Sequence, residues 1–324
     1  MEEVIVVEGL KRTYTTTEGV LKKTKKEVSA LKGIDFSVKR GEIFGLLGPN
    51  GAGKTTTIKI LTTLLSPTEG SARVLGFNTF GQERDIRRRI NFIFGGERSL
   101  YWRLSAEDNL KYFADLYLIP RRDQAALIDG LLERVGLLEV KKRKVESFSK
   151  GMKQRLQIAR ALLNQPEVIF LDEPTIGLDP VGARNLRDII RQVTAMGTTV
   201  VLTTHYMQEA EELCDRIAII NQGQVVALDT VDGLKRLIEQ PTKLRMPAES
   251  LEEDQLLALK DHPKVEKIVK LDKSNFVDIH SGEADAVLAT IVETCGRFSM
   301  RGMQILDVNL EDVYVELVGG SNAV

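Results

Sequence analysis

Apolar residues recur along this chain in two spacings, and their alternation predicts a layered protein of strands and helices. Runs typical of strands occupy residues 4–8, 31–39, 43–47, 90–94, 168–171 and 198–203. Segments with apolar residues at helical spacing occupy residues 57–65 and 183–195. Because residues 168–171 are apolar throughout, we expect them in a parallel sheet that is covered on both faces. The pattern therefore predicts an α/β fold.

A helical stretch interrupts this alternation between about residues 98 and 165. Ser105, followed three residues later by Asp108, resembles a capping box at a helix start. The apolar stripe of that helix ends before Pro120, and its members are Leu110, Phe113, Leu116 and Tyr117. Further helices are predicted over residues 124–135 and 149–163. We interpret the stretch as a helical subdomain inserted into the α/β core.

Residues 241–324 have a different order of elements, which predicts a separate domain. Strands, helices and a hairpin are predicted over residues 243–246, 251–260, 265–271, 276–280, 284–295, 303–310 and 310–318. The order β-α-β-β-α-β is that of the ferredoxin-like motif. The sequence therefore predicts a small C-terminal α+β domain after a first domain of residues 1–240.

Composition narrows the class of protein. A hydrophobic content of 43% over 324 residues permits a sizeable core. A formal net charge of −1 provides no global field for nucleic acid, so we expect no nucleic-acid partner. Cys214 and Cys295 match no metal-binding spacing and suit a reducing cytosol. No apolar run approaches the roughly 20 residues of a membrane helix, so a membrane part would come from other chains.

Four lysines cluster in the polar stretch of residues 15–27, which we expect to form a hairpin or loop. They are Lys22, Lys23, Lys25 and Lys26. The cluster is either a solvated loop tip or a contact with anionic lipid headgroups, where each Lys adds about 1 kcal/mol. Both interpretations stay open on the sequence alone.

One glycine-rich stretch fits the pattern G-x-x-x-x-G-K followed by Ser or Thr, a phosphate-binding loop between a strand and a helix. Its residues are Gly48, Pro49, Asn50, Gly51, Ala52, Gly53, Lys54, Thr55 and Thr56. The glycines let the backbone curl tightly, so that N–H groups approach phosphate oxygens near a helix N-terminus. We expect Lys54 to reach the β- and γ-phosphates and the Thr55 hydroxyl to complete a Mg²⁺ shell.

An acidic pair, Asp172 and Glu173, ends the apolar strand of residues 168–171. One carboxylate suits Mg²⁺, directly or through water, and the other can polarise an attacking water. Lys54, this pair and His205 all follow the carboxyl ends of predicted strands, where open α/β sheets bind ligands. We therefore expect them to meet at one site.

Ser149 opens a predicted helix, with Gly151 two residues later. Its hydroxyl, the backbone N–H groups and the helix dipole together would present a second anion site. A plain N-cap would equally explain Ser149.

Five stretches together resemble the nucleotide-binding subunits of ABC transporters, in both order and spacing. They are residues 48–56, Phe148–Met152, Asp172–Thr175, Gly177–Asp179 and His205. The resemblance covers residues 1 to about 235, and it is strongest to the single-domain subunits of type-2 bacterial drug-resistance and lipid exporters. Those subunits often carry a small C-terminal domain ending much like residues 310–317. The resemblance implies a P-loop NTPase core of ABC type.

The resemblance also implies roles for individual residues. Tyr14 matches the aromatic that stacks on adenine, although it is also explained as a surface residue at a strand end. His205 matches a residue that contacts the γ-phosphate and positions water, and Asp179 lies in a loop that couples two sites. The segment that would contact ATP held by a partner subunit comprises Ser149, Lys150, Gly151 and Met152. Tyr101 and Trp102 lie where a membrane subunit docks, although core packing is expected for at least one.

The implied assembly is a dimer that sandwiches two ATP molecules and drives separate transmembrane permease subunits. The second nucleotide-binding subunit would be an identical or a related chain. The implied cofactors are ATP and Mg²⁺, and the implied place is the cytoplasmic face of the cell membrane. The implied activity is ATP hydrolysis coupled to transport, with export the expected direction.

Two departures from the family pattern affect these roles. Phe148, Lys150 and Met152 replace the common Leu, Gly and Gln of their segment. More importantly, Gly96 stands where the family usually has a Gln that contacts Mg²⁺ and water, with Glu97 next. We expect water to take the place of the missing side chain, with Glu97 as the alternative.

Two other functions remain as alternatives. A soluble ABC-type ATPase acting on nucleic acid or ribosomes usually carries coiled-coil inserts, zinc cysteines or tandem ATPase domains, which this sequence lacks. A nucleotide-binding switch without turnover is disfavoured by the presence of Glu173 and His205.

Overall fold

The computed structural model describes residues 2–18, 24–94, 100–238, 242–248, 253–271, 275–281, 288–289, 302–306 and 308–319. Contacts divide the chain into two compact units, Met1–Val231 and Asp232–Val324. The predicted boundary between residues 240 and 241 stays a prediction. Lys22, Lys23, Gly96, Glu97 and most of the helix predicted over residues 284–295 lie outside the described residues.

The first unit contains two sheets. Its described strands are β1 (Glu3–Glu18), β2 (Thr24–Lys39), β3 (Ile43–Leu47), β4 (Glu69–Val74), β5 (Phe77–Asn78), β6 (Ile90–Ile93), β7 (Val168–Asp172), β8 (Thr199–Thr204), β9 (Arg216–Asn221) and β10 (Gln224–Thr230). The smaller sheet has the order β2-β1-β4-β5 and is antiparallel. β1 and β2 pair from Glu3 with Lys39 to Glu18 with Thr24, so the hairpin prediction for residues 15–27 is confirmed.

The larger sheet has six strands in the order β10-β9-β3-β8-β7-β6. All its neighbours pair in parallel except β10, which runs antiparallel to β9. The predicted α/β core is therefore confirmed. β3 lies between β8 and β9, so the loop after β3 emerges at the middle of the sheet. β9 and β10 were not predicted, although the apolar run at residues 217–220 and the turn at Gly223 mark them.

The helices of the first unit fall into two groups. Those within about residues 98–165 form the helical subdomain, and the others flank the larger sheet. They are α1 (Lys54–Leu61), α2 (Glu83–Arg87), α3 (Ala106–Leu116), α4 (Arg121–Arg134), α5 (Lys150–Ala161), α6 (Pro180–Ala195) and α7 (Met207–Leu213). Ser105 caps α3, since its side chain accepts a hydrogen bond from Asp108 N at 3.0 Å. The predicted apolar stripe of α3 is partly wrong. Leu110 is buried, but Leu116 is 58% exposed, because the buried face runs through Ala106 and Ala114.

The main core of the first unit lies between the two sheets. Buried residues of the smaller sheet, such as Ile5, Leu10 and Leu31, join one cluster with Phe44 of β3 and Ile220 of β9. The rings of Phe36 and Phe44 stack with centroids 5.4 Å apart. This packing holds β3 against the smaller sheet, and pairing with β8 and β9 holds its two edges, which together fix the start of the loop that follows.

The second unit has its own sheet and core. α8 (Val231–Lys235) covers the residues at which the two units divide, and the remaining described elements are β11 (Thr242–Pro247), α9 (Glu253–Lys260), β12 (Lys267–Leu271), β13 (Phe276–Ser281), β14 (Gln304–Leu306) and α10 (Leu310–Gly319). The antiparallel sheet has the order β12-β13-β11-β14. Its buried cluster includes Leu244, Met246, Leu259, Val277 and Ile279. This arrangement confirms the predicted small α+β fold.

Within the residues that the structure describes, no helix combines the length and the apolarity needed to cross a bilayer.

Candidate nucleotide-binding site

The glycine-rich loop connects β3 to α1, as predicted, and two of its glycines have left-handed backbones. Gly51 has φ +82° and Gly53 has φ +113°, a region that residues with a Cβ rarely adopt. Gly48 is needed for a different reason, because a Cβ there would collide with the carbonyl oxygen of Ile220. The loop is also anchored through Ala52, whose carbonyl accepts a hydrogen bond from Gly223 N at 3.0 Å.

Lys54 lies inside this loop and is only 5% exposed. Its Nζ donates hydrogen bonds to the carbonyl oxygens of Gly48 at 2.7 Å and Pro49 at 3.1 Å. Burial lowers the pKa of Lys54, and the nearby carboxylates of Glu173 and Asp172 only partly offset this effect. An anion bound within the loop would favour the charged ammonium group.

Asp172 ends β7 and is joined to two hydroxyl groups. Thr55 Oγ1 lies 3.1 Å from both carboxylate oxygens, and Thr203 Oγ1 of β8 donates a hydrogen bond to Asp172 Oδ1 at 2.6 Å. A hydroxyl and a carboxylate form an all-oxygen donor set of the kind that Mg²⁺ prefers. Among the described residues, no group of three or more His, Cys, Asp or Glu could hold a metal ion. Thr55 and Asp172 therefore fit Mg²⁺ as a partial shell that phosphate oxygens would complete.

Glu173 lies next to both Lys54 and His205. Its Oε1 is 3.9 Å from Lys54 Nζ and 3.0 Å from His205 Nδ1. Since a carboxylate only accepts hydrogen bonds, His205 Nδ1 holds the proton in this contact. Glu173 has φ +48°, and its backbone N–H is held by the carbonyl and hydroxyl oxygens of Thr203, each at 3.1 Å.

Lys54, Thr55 and Glu173 line an open cavity of about 260 Å³, whereas Asp172 and His205 do not. Its lining residues are Ala30, Asn50, Gly51, Gly53, Lys54, Thr55, Thr56 and Glu173. The structure thus brings the predicted loop and the predicted acidic strand end together. The lining includes neither Tyr14, Ser149–Met152 nor Asp179. Sequence reasoning missed Thr203, whose hydroxyl orients the acidic pair, and Ala30, which contributes to the lining.

Tyr14 lies on β1 with its ring half-buried. The guanidinium carbon of Arg12 is 4.9 Å from the centroid of this ring, at the distance of a cation–π contact. Arg12 therefore covers part of one ring face, and an adenine base would have to stack on the other.

Ser149 and Asp179 are both N-caps. Ser149 Oγ accepts a hydrogen bond from Met152 N at 3.2 Å, and Asp179 Oδ1 accepts one from Gly182 N at 2.9 Å. The N-cap interpretation of Ser149 is thus confirmed, and its contact with a partner's ATP stays a prediction. A Cβ on Gly177 would collide with Lys150 Nζ, so Lys150 lies close to the segment that leads to Asp179. The first residue of α5 therefore contacts the loop that precedes α6.

An aromatic patch lies on the helical subdomain, formed by Tyr101, Trp102, Leu104 and Tyr112. Each of these residues is between 37% and 47% exposed. The rings of Tyr101 and Tyr112 meet edge to face with centroids 4.7 Å apart. The expectation that Tyr101 or Trp102 packs in the core is therefore wrong, because both remain about half exposed.

Comparison with known proteins gives a consistent set of similarities. The sequence profile described as "ABC transporter" matches residues 31–176. The linearmycin resistance ATP-binding protein LnrL of Bacillus subtilis is 34% identical over 92% of this chain and 96% of its own length. The daunorubicin resistance ATP-binding protein DrrA2 of Streptomyces coeruleorubidus is 35% identical over 94% of this chain and 95% of its own length. A fluoroquinolones export ATP-binding protein of Mycobacterium tuberculosis is 45% identical over 72% of this chain and 73% of its own length.

Solved structures show the same likeness. An ATP-binding subunit of an ABC transporter is 30% identical, with a TM-score of 0.60 over 72% of this chain and 92% of that chain. A dimeric ATP-binding cassette in a post-hydrolysis state with ADP and Pi is 27% identical, with a TM-score of 0.61 over 70% of this chain and 98% of that chain.

Proposed function

This chain belongs to the ABC transporter family as an ATP-binding and ATP-hydrolysing subunit, and on that premise we propose that it powers export of a small molecule. The relatives named for linearmycin resistance, daunorubicin resistance and fluoroquinolones export support this direction. They also argue against the alternative of a soluble ATPase acting on nucleic acid or ribosomes.

Within one subunit, the loop after β3 holds the phosphates of ATP. Backbone N–H groups and the N-terminus of α1 face the β- and γ-phosphates, and Lys54 adds a positive charge. Tyr14 stacks on the base. Thr55 and Asp172 hold Mg²⁺, which when bound neutralises charge on phosphate oxygens.

Glu173 accepts the proton of the attacking water, and His205 orients that water and the γ-phosphate. One observation carries this assignment: Glu173 Oε1 lies within reach of both Lys54 and His205, at 3.9 Å and 3.0 Å. A carboxylate placed beside the phosphate-binding amine can receive a proton as the water attacks.

A second nucleotide-binding subunit completes each site. Ser149–Met152 and Asp179 do not line the cavity of their own chain, and Lys150 of the first segment contacts Gly177, two residues before Asp179. This placement supports contact with ATP bound to the partner. The dimeric ATP-binding cassette among the structural relatives supports the same arrangement.

Transmembrane permease subunits dock on the aromatic patch, and the chain works at the cytoplasmic face of the cell membrane. Large aromatic side chains that stay half exposed are typical of interfaces. The patch belongs to the helical subdomain, and none of its residues lines the cavity beside the loop after β3.

Glu173→Gln tests the assignment of the proton acceptor. We expect ATP turnover to fall by about 10²–10⁴-fold while ATP binding persists, because only the proton acceptor is lost. Lys54→Ala should instead weaken ATP binding itself. ATP binding by calorimetry and phosphate release measure the two effects.

The matched control is Glu69→Gln, a side chain that is 63% exposed on β4 and should keep wild-type turnover. Near-wild-type turnover in Glu173→Gln would show that another group accepts the proton.

A further inference from the structure

Glu209 is a buried acid that none of the roles above uses. It lies in the first turn of α7 and is only 4% exposed. Neither of its carboxylate oxygens has a hydrogen-bond partner of good geometry within the described structure. Buried polar groups nearly always have such partners, so this exception calls for a physical reason. Burial raises the pKa of Glu209, which favours its uncharged form.

Two threonine hydroxyls face Glu209 and partly offset that rise in its pKa. They belong to Thr204, the last residue of β8, and Thr175, which follows the acidic end of β7. Thr204 Oγ1 already accepts a hydrogen bond from Tyr206 N at 3.0 Å, so its hydroxyl hydrogen remains available to donate. Arg187 of α6 and His205 also face Glu209, and Cys214 lies near it beyond α7.

The two threonines begin two segments with proposed roles. One contains His205, proposed to orient the γ-phosphate, and the other contains Asp179, proposed to contact ATP bound to the partner. Thr204 directly precedes His205. Thr175 belongs to the turn between Glu173 and Asp179, where its carbonyl accepts a hydrogen bond from Leu178 N at 3.0 Å. One carboxyl group therefore faces the base of both segments.

We propose that Glu209 is a positioning residue, whose carboxyl group holds the Thr204–His205 and Thr175–Asp179 segments in a fixed relation during ATP hydrolysis. The inference rests on the functions proposed above for His205 and Asp179. Glu209 acts through the two hydroxyls and does not touch ATP. Because an uncharged carboxyl group donates and accepts hydrogen bonds, Gln can replace it, whereas Met fills a similar volume but offers only a weak acceptor.

The experiment compares Glu209→Gln and Glu209→Met in the full chain. We expect Glu209→Met to lower kcat about tenfold or more, because small misplacements of reacting groups cost up to about 100-fold. The Kd for Mg-ATP should stay at the wild-type value, since the loop after β3 is untouched. Glu209→Gln should keep most of kcat. Gln208→Met, on the exposed side of the same helix turn, is the matched control and should behave as wild type.

Wild-type kcat in Glu209→Met, or loss of kcat in Glu209→Gln with an intact fold, would overturn the inference. If Glu209→Met does not fold, Thr175→Val answers the same question, because it removes one hydroxyl and should lower kcat without changing Kd. Near-wild-type turnover of the Glu173→Gln variant contradicts the proposed function instead. The two failures are therefore distinguishable.

Discussion

At the scale of single residues, two glycines show opposite consequences of adding one methyl group. We expect Gly48→Ala to destabilise the protein by about 1–3 kcal/mol, because its Cβ would meet the carbonyl oxygen of Ile220. ATP binding should fall with it, since the phosphate loop begins there. Gly130→Ala is the control. That position lies in α4 with no atom within 4 Å of an added Cβ, so stability should rise by about 0.5–1 kcal/mol. Thermal unfolding measures both changes, and an unchanged midpoint in Gly48→Ala would contradict this account of the loop.

At the scale of elements, two helices begin with the same cap but are proposed to differ in function. Ser105 caps α3 and Ser149 caps α5, each accepting a backbone hydrogen bond three residues on, at 3.0 Å and 3.2 Å. Replacement by Ala should cost about 0.5–2 kcal/mol of stability in either case. Only Ser149→Ala should also weaken ATP-dependent dimerisation, measured by size-exclusion chromatography in a Glu173→Gln background. Equal dimerisation in the two variants would remove Ser149 from the proposed partner site.

At the scale of the whole molecule, the chain separates into two units with separate cores. Every residue that lines the cavity belongs to the first unit. We therefore expect a chain ending near residue 240 to bind Mg-ATP with wild-type affinity and to hydrolyse it, as measured by calorimetry and phosphate release. Dimerisation of this shortened chain is expected to weaken. Complete loss of nucleotide binding on truncation would show that residues 241–324 are required for the first domain to fold.

Much of the fold follows from local pattern, and one of the exceptions has a tertiary cause. The apolar strand at residues 168–171 and the cap at Ser105 were predicted from sequence because each carries its own signal. The buried face of α3 was misplaced at Leu116, because the neighbouring helices determine which side of an apolar helix is covered. β9 and β10 had a local signal that was overlooked, an Ile-rich run followed by a turn at Gly223.

The part of the site that lies at the carboxyl ends of strands could be predicted from the sequence. Lys54, Glu173 and His205 meet because carboxyl ends of parallel strands share one edge. Thr203 and Glu209 were missed, since a Thr in a strand and a Glu in a helix are common. Their placement comes from the register between β7 and β8, which pairs Asp172 with Thr203, and from burial of Glu209 in the first turn of α7.

The left-handed backbone of Glu173, at φ +48°, places thermal stability and catalytic turnover in conflict at this position. A side chain held in this region costs of order 1–3 kcal/mol, out of a typical total stability of about 5–15 kcal/mol. Asn and Gly accept this backbone more readily, yet neither can take up a proton. Selection for thermal endurance alone would thus favour replacing the residue that we propose as the proton acceptor.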